Sequence, residues 1–278
     1  MELKTAILVD GSFFIQRANF FKRSYFKTQP NLTAAQYIEI LQSIIKRHLY
    51  DNNRKHYLYR TFYYDAAPLD LDIHKPLVEP GETNKRIEYF SKRPENLCRV
   101  EFLELLRTQR KVALRLGEIK HHKKWKIKDK VITALLDKTK VVEDLTNDDF
   151  YFETHQKGVD VKLGLDIASL SYEKLVDQIV LIAGDSDFVP AAKLARMKGI
   201  DFVLDCLKNN IDPALNEHID GLNSFDLVSI LSTIYHVEPN PRPTWWTEEK
   251  PTINRNKVRI QTSNGNGDSA SKRTSRRR

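Results

Sequence analysis

Three aspartates in this 278-residue chain stand where an α/β protein binds its ligands. Asp10 directly follows the apolar run 6–9, and Asp185 and Asp187 come shortly after the apolar run 179–182. Ligands of parallel α/β sheets bind outside the carboxyl ends of the strands. If both runs are strands of one parallel sheet, we expect these carboxylates to meet at one edge.

Further acidic residues could join this group. Asp160 belongs to the sequence Lys-Gly-Val-Asp, residues 157–160, which opens a predicted helix, and Asp166 follows six residues later. Asp65 and Asp205 also come directly after predicted strands. Six residues correspond to about 600° around a helix, so one helix face does not present both Asp160 and Asp166 directly. Asp166 therefore supports the site or packs inside the fold.

Two explanations account for an aspartate between a strand and a helix. It can be the N-cap of the helix, as Asp160 and Asp187 could be. Several carboxylates at one edge, however, repel one another unless a cation neutralises them. Oxygen ligands without His or Cys select Mg²⁺ or Mn²⁺. Such an ion activates an attacking water and stabilises a leaving oxygen, which suits phosphodiester hydrolysis.

Strands and helices must alternate to place these residues. Predicted strands cover residues 6–9, 57–64, 111–116, 178–183 and 200–204. Predicted helices cover residues 12–22, a segment after the Thr33/Gln36 capping box, 95–107, 159–171, 188–198 and 225–235. This order predicts an α/β domain with a mostly parallel sheet flanked by helices.

Three blocks of sequence carry a family resemblance. They are Ile-Leu-Val-Asp-Gly-Ser-Phe-Phe at 7–14, Lys-Gly-Val-Asp-Val at 157–161 with Asp166, and Ala-Gly-Asp-Ser-Asp-Phe-Val-Pro at 183–190. Their order and spacing resemble the NYN domain, and within it the LabA-like branch of the PIN-like nuclease superfamily. The resemblance covers roughly residues 3–235 and implies a PIN-like (Rossmann-like) fold.

The resemblance also implies an activity: a Mg²⁺- or Mn²⁺-dependent endoribonuclease. Its catalytic and metal-binding centre would be Asp10, Asp160, Asp185 and Asp187. Asp166, Ser12 and Ser186 would support that centre.

One departure from the family pattern keeps other functions open. Many relatives have Asn where this chain has Phe13. The first alternative is therefore a catalytically weak RNA-binding regulator with a NYN fold. The second is a nuclease acting on single-stranded or flap DNA, because the same metal chemistry cuts either backbone. Distinguishing RNA from DNA requires contacts to the 2′-hydroxyl, which the carboxylates do not provide.

A basic segment precedes the second block. Residues 107–130 contain ten Lys or Arg against only Glu118 and Asp129. The part at 118–130 alternates in polarity and predicts a hairpin arm. Its lysines could neutralise phosphates while an aromatic ring stacks on an unpaired base. The predicted RNA contacts are Lys123, Lys124, Trp125, Lys126 and Lys128.

The net charge of +8 is concentrated at the C-terminus. Residues 251–278 hold eight Lys or Arg against Asp268, so they carry +7 and the other 250 residues sum to +1. From residue 238 the sequence is rich in Pro, Asn, Ser and Arg. We therefore predict one nuclease domain at 1–237 and a flexible basic tail at 238–278.

Composition excludes several other classes of protein. A mean hydropathy of −0.50, without an apolar run near 18 residues, argues against a membrane span. The first residues lack the basic and apolar regions of a signal peptide. Cys98 and Cys206 are too few for a disulfide scaffold and belong to no zinc motif. We expect a cytoplasmic protein.

Overall fold

The apolar run before Asp10 forms the central strand of a large sheet. The structure is a computed structural model that describes residues 3–51, 54–211 and 213–246. In the first strand, Ile7 and Val9 pack into one hydrophobic cluster, while Ala6 and Leu8 pack into a second. All four side chains are fully buried. Both faces of the strand are therefore covered, as the continuous apolar run predicted.

The sheet contains eight of the ten described strands. The strands are β1 Leu3–Asp10, β2 Tyr50–Asp51, β3 Arg54–Ala66, β4 Asp72–His74, β5 Ile87–Tyr89, β6 Val112–Ile127, β7 Phe150–Lys157, β8 Gln178–Ile182, β9 Asp201–Asp205 and β10 Gly221–Asn223. The order is β10-β9-β8-β1-β3-β6-β7, with β2 beside β3. Only β2–β3 and β6–β7 pair antiparallel within this sheet. The predicted mostly parallel α/β sheet is confirmed.

Helices cover both faces of the sheet. The described helices are α1 Gly11–Tyr25, α2 Ala34–Leu49, α3 Pro94–Thr108, α4 Asp129–Leu136, α5 Val159–Tyr172, α6 Val189–Met197, α7 Pro213–Asn216 and α8 Val228–Tyr235. Helices α1, α2, α3 and α8 contribute to the cluster that contains Val9. Helices α5 and α6 contribute to the cluster that contains Leu8. This two-sided packing holds β1 and β8 rigidly between two layers.

The helix boundaries follow local sequence signals. At the start of α2, the Gln36 N–H donates to Thr33 Oγ1 at 3.3 Å, and the Thr33 N–H donates to Gln36 Oε1 at 2.9 Å. The predicted capping box is therefore present. Gly199 follows the end of α6 with φ near +81°, the left-handed conformation that favours glycine at this position.

Strand β6 is longer than the sequence predicted and continues into the arm. Residues 112–117 pair parallel with β3, and residues 118–127 then pair antiparallel with β7. We call residues 118–127 together with β7 the basic arm. Its pairing shifts between His121 and Trp125, so that residues 122–124 form a bulge. The arm extends beyond the carboxyl edge of the parallel sheet, because β6 runs parallel to β3 and continues past it.

Ordered packing continues past the predicted domain boundary at 237. The Asn240 N–H donates to the Tyr25 carbonyl at 2.7 Å, and the ring of Trp245 lies 6.3 Å from that of Tyr25. Trp246 packs against the first hydrophobic cluster. The rest of the predicted tail, 247–278, lies outside the described residues. Among the described helices, none combines the length and apolar character needed to cross a membrane.

Candidate acidic active site

The carboxyl ends of β1 and β8 lie side by side. Val9 pairs with Ile182, so Asp10 and the segment after β8 occupy the same edge of the sheet. A cavity of about 360 Å³ opens there. Its lining residues are Asp10, Ser12, Phe13, Gln16, Gly184, Asp185 and Asn209. The edge position expected for Asp10 and Asp185 is therefore what the fold produces.

Asp10 combines the two roles that the sequence left open. Its Oδ1 accepts a hydrogen bond of 3.1 Å from the Phe13 N–H, so Asp10 is the N-cap of α1. Its pKa is raised to about 6, mainly by burial and also by the nearby charge of Asp160, against the lowering effect of the Phe13 N–H. Capping fixes the carboxylate in place at the cavity.

Asp160 reaches the same edge from a different element. Gly158 adopts φ near +82° and is the N-cap of α5, which turns the chain from the basic arm into the helix. Asp160 lies in the first turn of α5 and does not cap it. Its pKa is raised by partial burial first and then by the charges of Asp185 and Asp187. The four aspartates are close enough for their charges to interact.

Asp185 and Asp187 are exposed on a short 3₁₀ turn, Ser186–Phe188, after β8. The Asp187 N–H donates to Asp185 Oδ1 at 3.0 Å. Asp187 does not cap α6, whose N-cap is Phe188. The side chain of Ser186, a predicted supporting residue, lies outside what the structure describes.

The donors of this edge suit a hard cation. All four candidate ligands are carboxylates, the class that Mg²⁺ and Mn²⁺ prefer. The charge of Asp160 raises the pKa of Asp10, the charges of Asp185 and Asp187 raise that of Asp160, and a bound cation would relieve this repulsion. Within residues 3–51, 54–211 and 213–246, however, no three His, Cys, Asp or Glu side chains are arranged to hold a metal ion. Binding would require the exposed Asp185 and Asp187 side chains to turn inward.

Asp166 does not join this group. Its Oδ2 accepts hydrogen bonds from the Tyr64 hydroxyl at 2.8 Å and from Arg115 Nε at 2.9 Å. Burial raises the pKa of Tyr64, so its hydroxyl remains a donor. Asp166 therefore ties α5 to β3 and β6, which supports the helix that carries Asp160.

Asp65 and Asp205 are fully buried at the same edge, each with a partner. Asp65 forms an ion pair with Arg99 of α3 and accepts a 2.7 Å hydrogen bond from the Ala66 N–H. Asp205 Oδ2 lies 2.9 Å from His48 Nε2. Burial raises the pKa of Asp65, and Arg99 opposes that rise. Both carboxylates hold helices onto the sheet.

Two contacts at the cavity were not predicted from the sequence. The Gln156 side chain of β7 is hydrogen-bonded to Ser12 Oγ at 3.1 to 3.3 Å, which links the basic arm to the acidic edge. The ring of Phe13 covers Gly184, where an added Cβ would approach it within 2.5 Å. The glycine in Ala-Gly-Asp is therefore needed for close packing. Nothing in the local sequence pattern pointed to Gln156, because β7 itself was not predicted.

The lysines of the basic arm fall into two groups. Lys123 and Lys124 are exposed on the bulge and form no ion pair or side-chain hydrogen bond with any described residue. Lys126 pairs with Glu153 across the arm, and Lys128 Nζ donates to the Asp148 carbonyl at 2.6 Å. The bulge lysines are thus the two of the four that are available for a phosphate.

Trp125 has a packing role within the fold. Its Nε1–H donates to the His74 carbonyl at 2.9 Å. Its ring stacks on Phe90 at 6.1 Å and meets Phe152 edge-on at 5.4 Å. This aromatic cluster holds the β4–β5 pair against the basic arm. The contact of Trp125 with RNA stays a prediction.

Comparison with known proteins finds a family match for part of the chain. Residues 101–214 match the family model of the NYN domain, which is a PIN-like nuclease domain. Searches of the curated proteins and of the solved structures gave no match. The predicted NYN resemblance is confirmed, and assignment to the LabA-like branch stays a prediction. The matched residues include Asp160, Asp185 and Asp187 but not Asp10. The match supports a nuclease activity in general, and PIN-like NYN nucleases generally use divalent metals.

Proposed function

We propose that this NYN-domain protein is an endoribonuclease that uses Mg²⁺ or Mn²⁺ bound by Asp10, Asp160, Asp185 and Asp187. One observation supports the proposal: the charge of Asp160 reaches Asp10, the charges of Asp185 and Asp187 reach Asp160, and none of the four forms an ion pair within the part of the chain that the structure describes. A divalent cation would relieve the repulsion within this group.

The four aspartates differ in how firmly the fold holds them. Asp10 is fixed by strand β1 and by its capping bond, and it is ionised above a pH of about 6. Asp160 is fixed by the first turn of α5. The exposed Asp185 and Asp187 can reorient to complete the ligand set. A bound divalent cation would activate the attacking water and stabilise the leaving oxygen, without a covalent enzyme intermediate.

RNA is the proposed substrate because the basic arm lies beside the acidic edge. Gln156 connects the arm to Ser12 at the cavity, and the bulge presents Lys123 and Lys124 to solvent. Lysines in such a position attract a phosphate backbone. Single-stranded or flap DNA remains the alternative substrate, since these contacts recognise phosphate.

A specific observation favours a second candidate function. Phe13 fills the space over Gly184 beside the cavity, where many relatives have an amide side chain. A protein with this replacement could bind RNA and cut it slowly or not at all. The same assay tests both candidates.

The experiment compares labelled single-stranded RNA and DNA oligonucleotides of equal sequence, incubated with purified full-length protein in Mg²⁺, Mn²⁺ or EDTA. We expect internal cleavage of RNA with either metal and none in EDTA. Asp10→Asn should lose this activity, whereas Asp137→Asn, an exposed aspartate at the end of α4, should retain it.

Each other outcome has a defined meaning. Undiminished cleavage in EDTA would rule out the metal site. Cleavage of DNA alone would assign the DNA nuclease. Tight RNA binding without cleavage in either metal would assign the regulator.

A further inference from the structure

A second, larger cleft adjoins the acidic cavity. It has a volume of about 950 Å³ and shares Ser12 with that cavity. Helices α1 and α2 form one wall, the first turns of α3 form the opposite wall, and the base of the basic arm closes one end. Its volume is in the range of clefts that hold small organic ligands. A ligand in this cleft can therefore extend directly to the carboxylates.

Lys22 lines this cleft with a buried stem and a free charge. The residue is only 8% exposed, and its ammonium group forms no ion pair or hydrogen bond with any residue in the described part of the chain. The burial is that of the stem, because the ammonium nitrogen keeps access to solvent at the cleft. Its place in the last turn of α1 favours the positive charge there.

The other cations of the cleft sharpen this observation. Arg93 pairs with Glu88, and Arg99 pairs with Asp65. Arg23, next to Lys22, is exposed and has no ion pair among residues 3–51, 54–211 and 213–246. Two neighbouring cations on α1 are therefore free to hold an anionic ligand.

The opposite wall has a different character. Leu97 at the start of α3 is 55% exposed, and the exposed Pro94 also lines the cleft. Exposed apolar surface of this kind accepts the face of a nucleobase. The α3 wall also carries the carboxylates of Glu95 and Glu101, so a phosphate is favoured at the cations of α1 and a base at Leu97 and Pro94.

We propose that this cleft binds the single-stranded segment next to the bond that is cut, with a backbone phosphate at Lys22 and Arg23 and a base against the α3 wall. The identity of the strand rests on the proposed function. The binding site itself rests on the unpaired cations and on the shared opening at Ser12.

The test measures binding apart from turnover. Fluorescence anisotropy in EDTA follows full-length protein binding a labelled 12-nucleotide RNA at several salt concentrations. Lys22→Met keeps the buried stem and removes the charge. It should weaken binding about tenfold, as expected for loss of a charged hydrogen bond. The log–log salt slope should fall by roughly 0.7.

Three companion variants make the result specific. Lys22→Arg should bind the RNA as the parent protein does. Arg23→Gln, at an exposed position that folding does not depend on, should also lower the salt slope. Lys27→Met removes the same charge from an exposed residue outside the cleft and should change affinity less than twofold. Thermal melting checks that every variant is folded.

Other results would overturn the proposal. Lys22→Met and Arg23→Gln proteins that bind with parental affinity and slope exclude phosphate contact in the cleft. A nucleoside 5′-monophosphate that binds as tightly as the 12-nucleotide RNA assigns the cleft to a free nucleotide. If the parent protein cuts no strand but binding still depends on Lys22, the proposed function fails and this site stands. If it cuts RNA and Lys22→Met binds normally, only this site fails.

Discussion

Two sets of aspartates share the carboxyl edge of one sheet, and they differ in their partners. Asp65, Asp166 and Asp205 each have a basic side chain within contact, namely Arg99, Arg115 and His48. In the described part of the chain, Asp10, Asp160, Asp185 and Asp187 have none. The first set holds helices to the sheet. The second set is the one that we propose binds a divalent cation.

A raised pKa alone does not separate the two sets. Burial raises the pKa of Asp65 as well as that of Asp10. The difference is that Arg99 neutralises Asp65, whereas Asp10 faces the like charge of Asp160. The arrangement of neighbouring charges therefore identifies the candidate site better than ionisation does.

The largest expected effect is the loss of RNA cleavage when an aspartate without a basic partner is replaced. Asp10→Asn and Asp185→Asn should each lower cleavage of labelled RNA by at least about 10⁴-fold, more than about 5 kcal/mol in activation free energy, because a metal ligand is lost. The circular dichroism spectrum should be unchanged. An unfolded Asp185→Asn protein would instead assign that residue to the structural set.

The next effect is on stability in the paired set. Arg99→Met leaves the charge of Asp65 buried without its partner and should reduce the free energy of unfolding by about 3–5 kcal/mol at pH 8. Arg107→Met, on the same helix, removes an exposed pair with Glu104 and should cost less than about 1 kcal/mol. Urea denaturation measures both. Equal losses in the free energy of unfolding would show that the buried Asp65–Arg99 pair contributes no more than the exposed one.

At Asp10, substitution is expected to raise the free energy of unfolding when metal is chelated. Its pKa is about 6 in the folded state against 3.8 as the reference value, so the ionised group destabilises the fold above pH 6. Asp10→Asn keeps the capping acceptor and should stabilise the protein by about 2–3 kcal/mol at pH 8. The gain should disappear as the pH falls through 6 toward 4. Urea denaturation in EDTA across this pH range measures the effect. A lower free energy of unfolding for Asp10→Asn than for the parent protein at pH 8 would contradict the prediction.

The same distinction applies to the lysines of the basic arm. Lys123→Gln with Lys124→Gln removes two charges without partners and should weaken RNA binding about tenfold, with the salt slope falling by about 0.7 per lost contact. Lys126→Gln with Lys128→Gln removes charges that already contact Glu153 and the Asp148 carbonyl, and should have a smaller effect. If anisotropy titrations show the same loss of RNA affinity for both double variants, the bulge lysines are not the main phosphate contacts.

The smallest effect is expected at Asp166. Asp166→Asn keeps an acceptor for Tyr64 and loses only a partly exposed ion pair with Arg115, so stability should fall by less than about 1 kcal/mol. Cleavage should fall only a few-fold, whereas Asp160→Asn should abolish it. Complete loss in both folded variants would place Asp166 among the residues of the site.

The sequence by itself was sufficient to predict most helices and strands and the edge of the sheet at which Asp10 lies. The apolar run before Asp10, the Thr33/Gln36 capping box and the glycine after α6 each act within a few residues. Local signals of this kind depend on backbone geometry and hydrogen bonds between near neighbours, so they can be read in order along the chain.

Only the tertiary structure decided which charged groups have partners. Arg99 and Asp65 are 34 residues apart, Arg115 and Asp166 are 51 apart, and His48 and Asp205 are 157 apart. The packing of Trp125 similarly depended on β7 and on the β4–β5 pair. No local pattern specifies such contacts, because they form where the sheet order brings distant segments together. For this protein, that long-range pairing separates structural aspartates from the proposed catalytic ones.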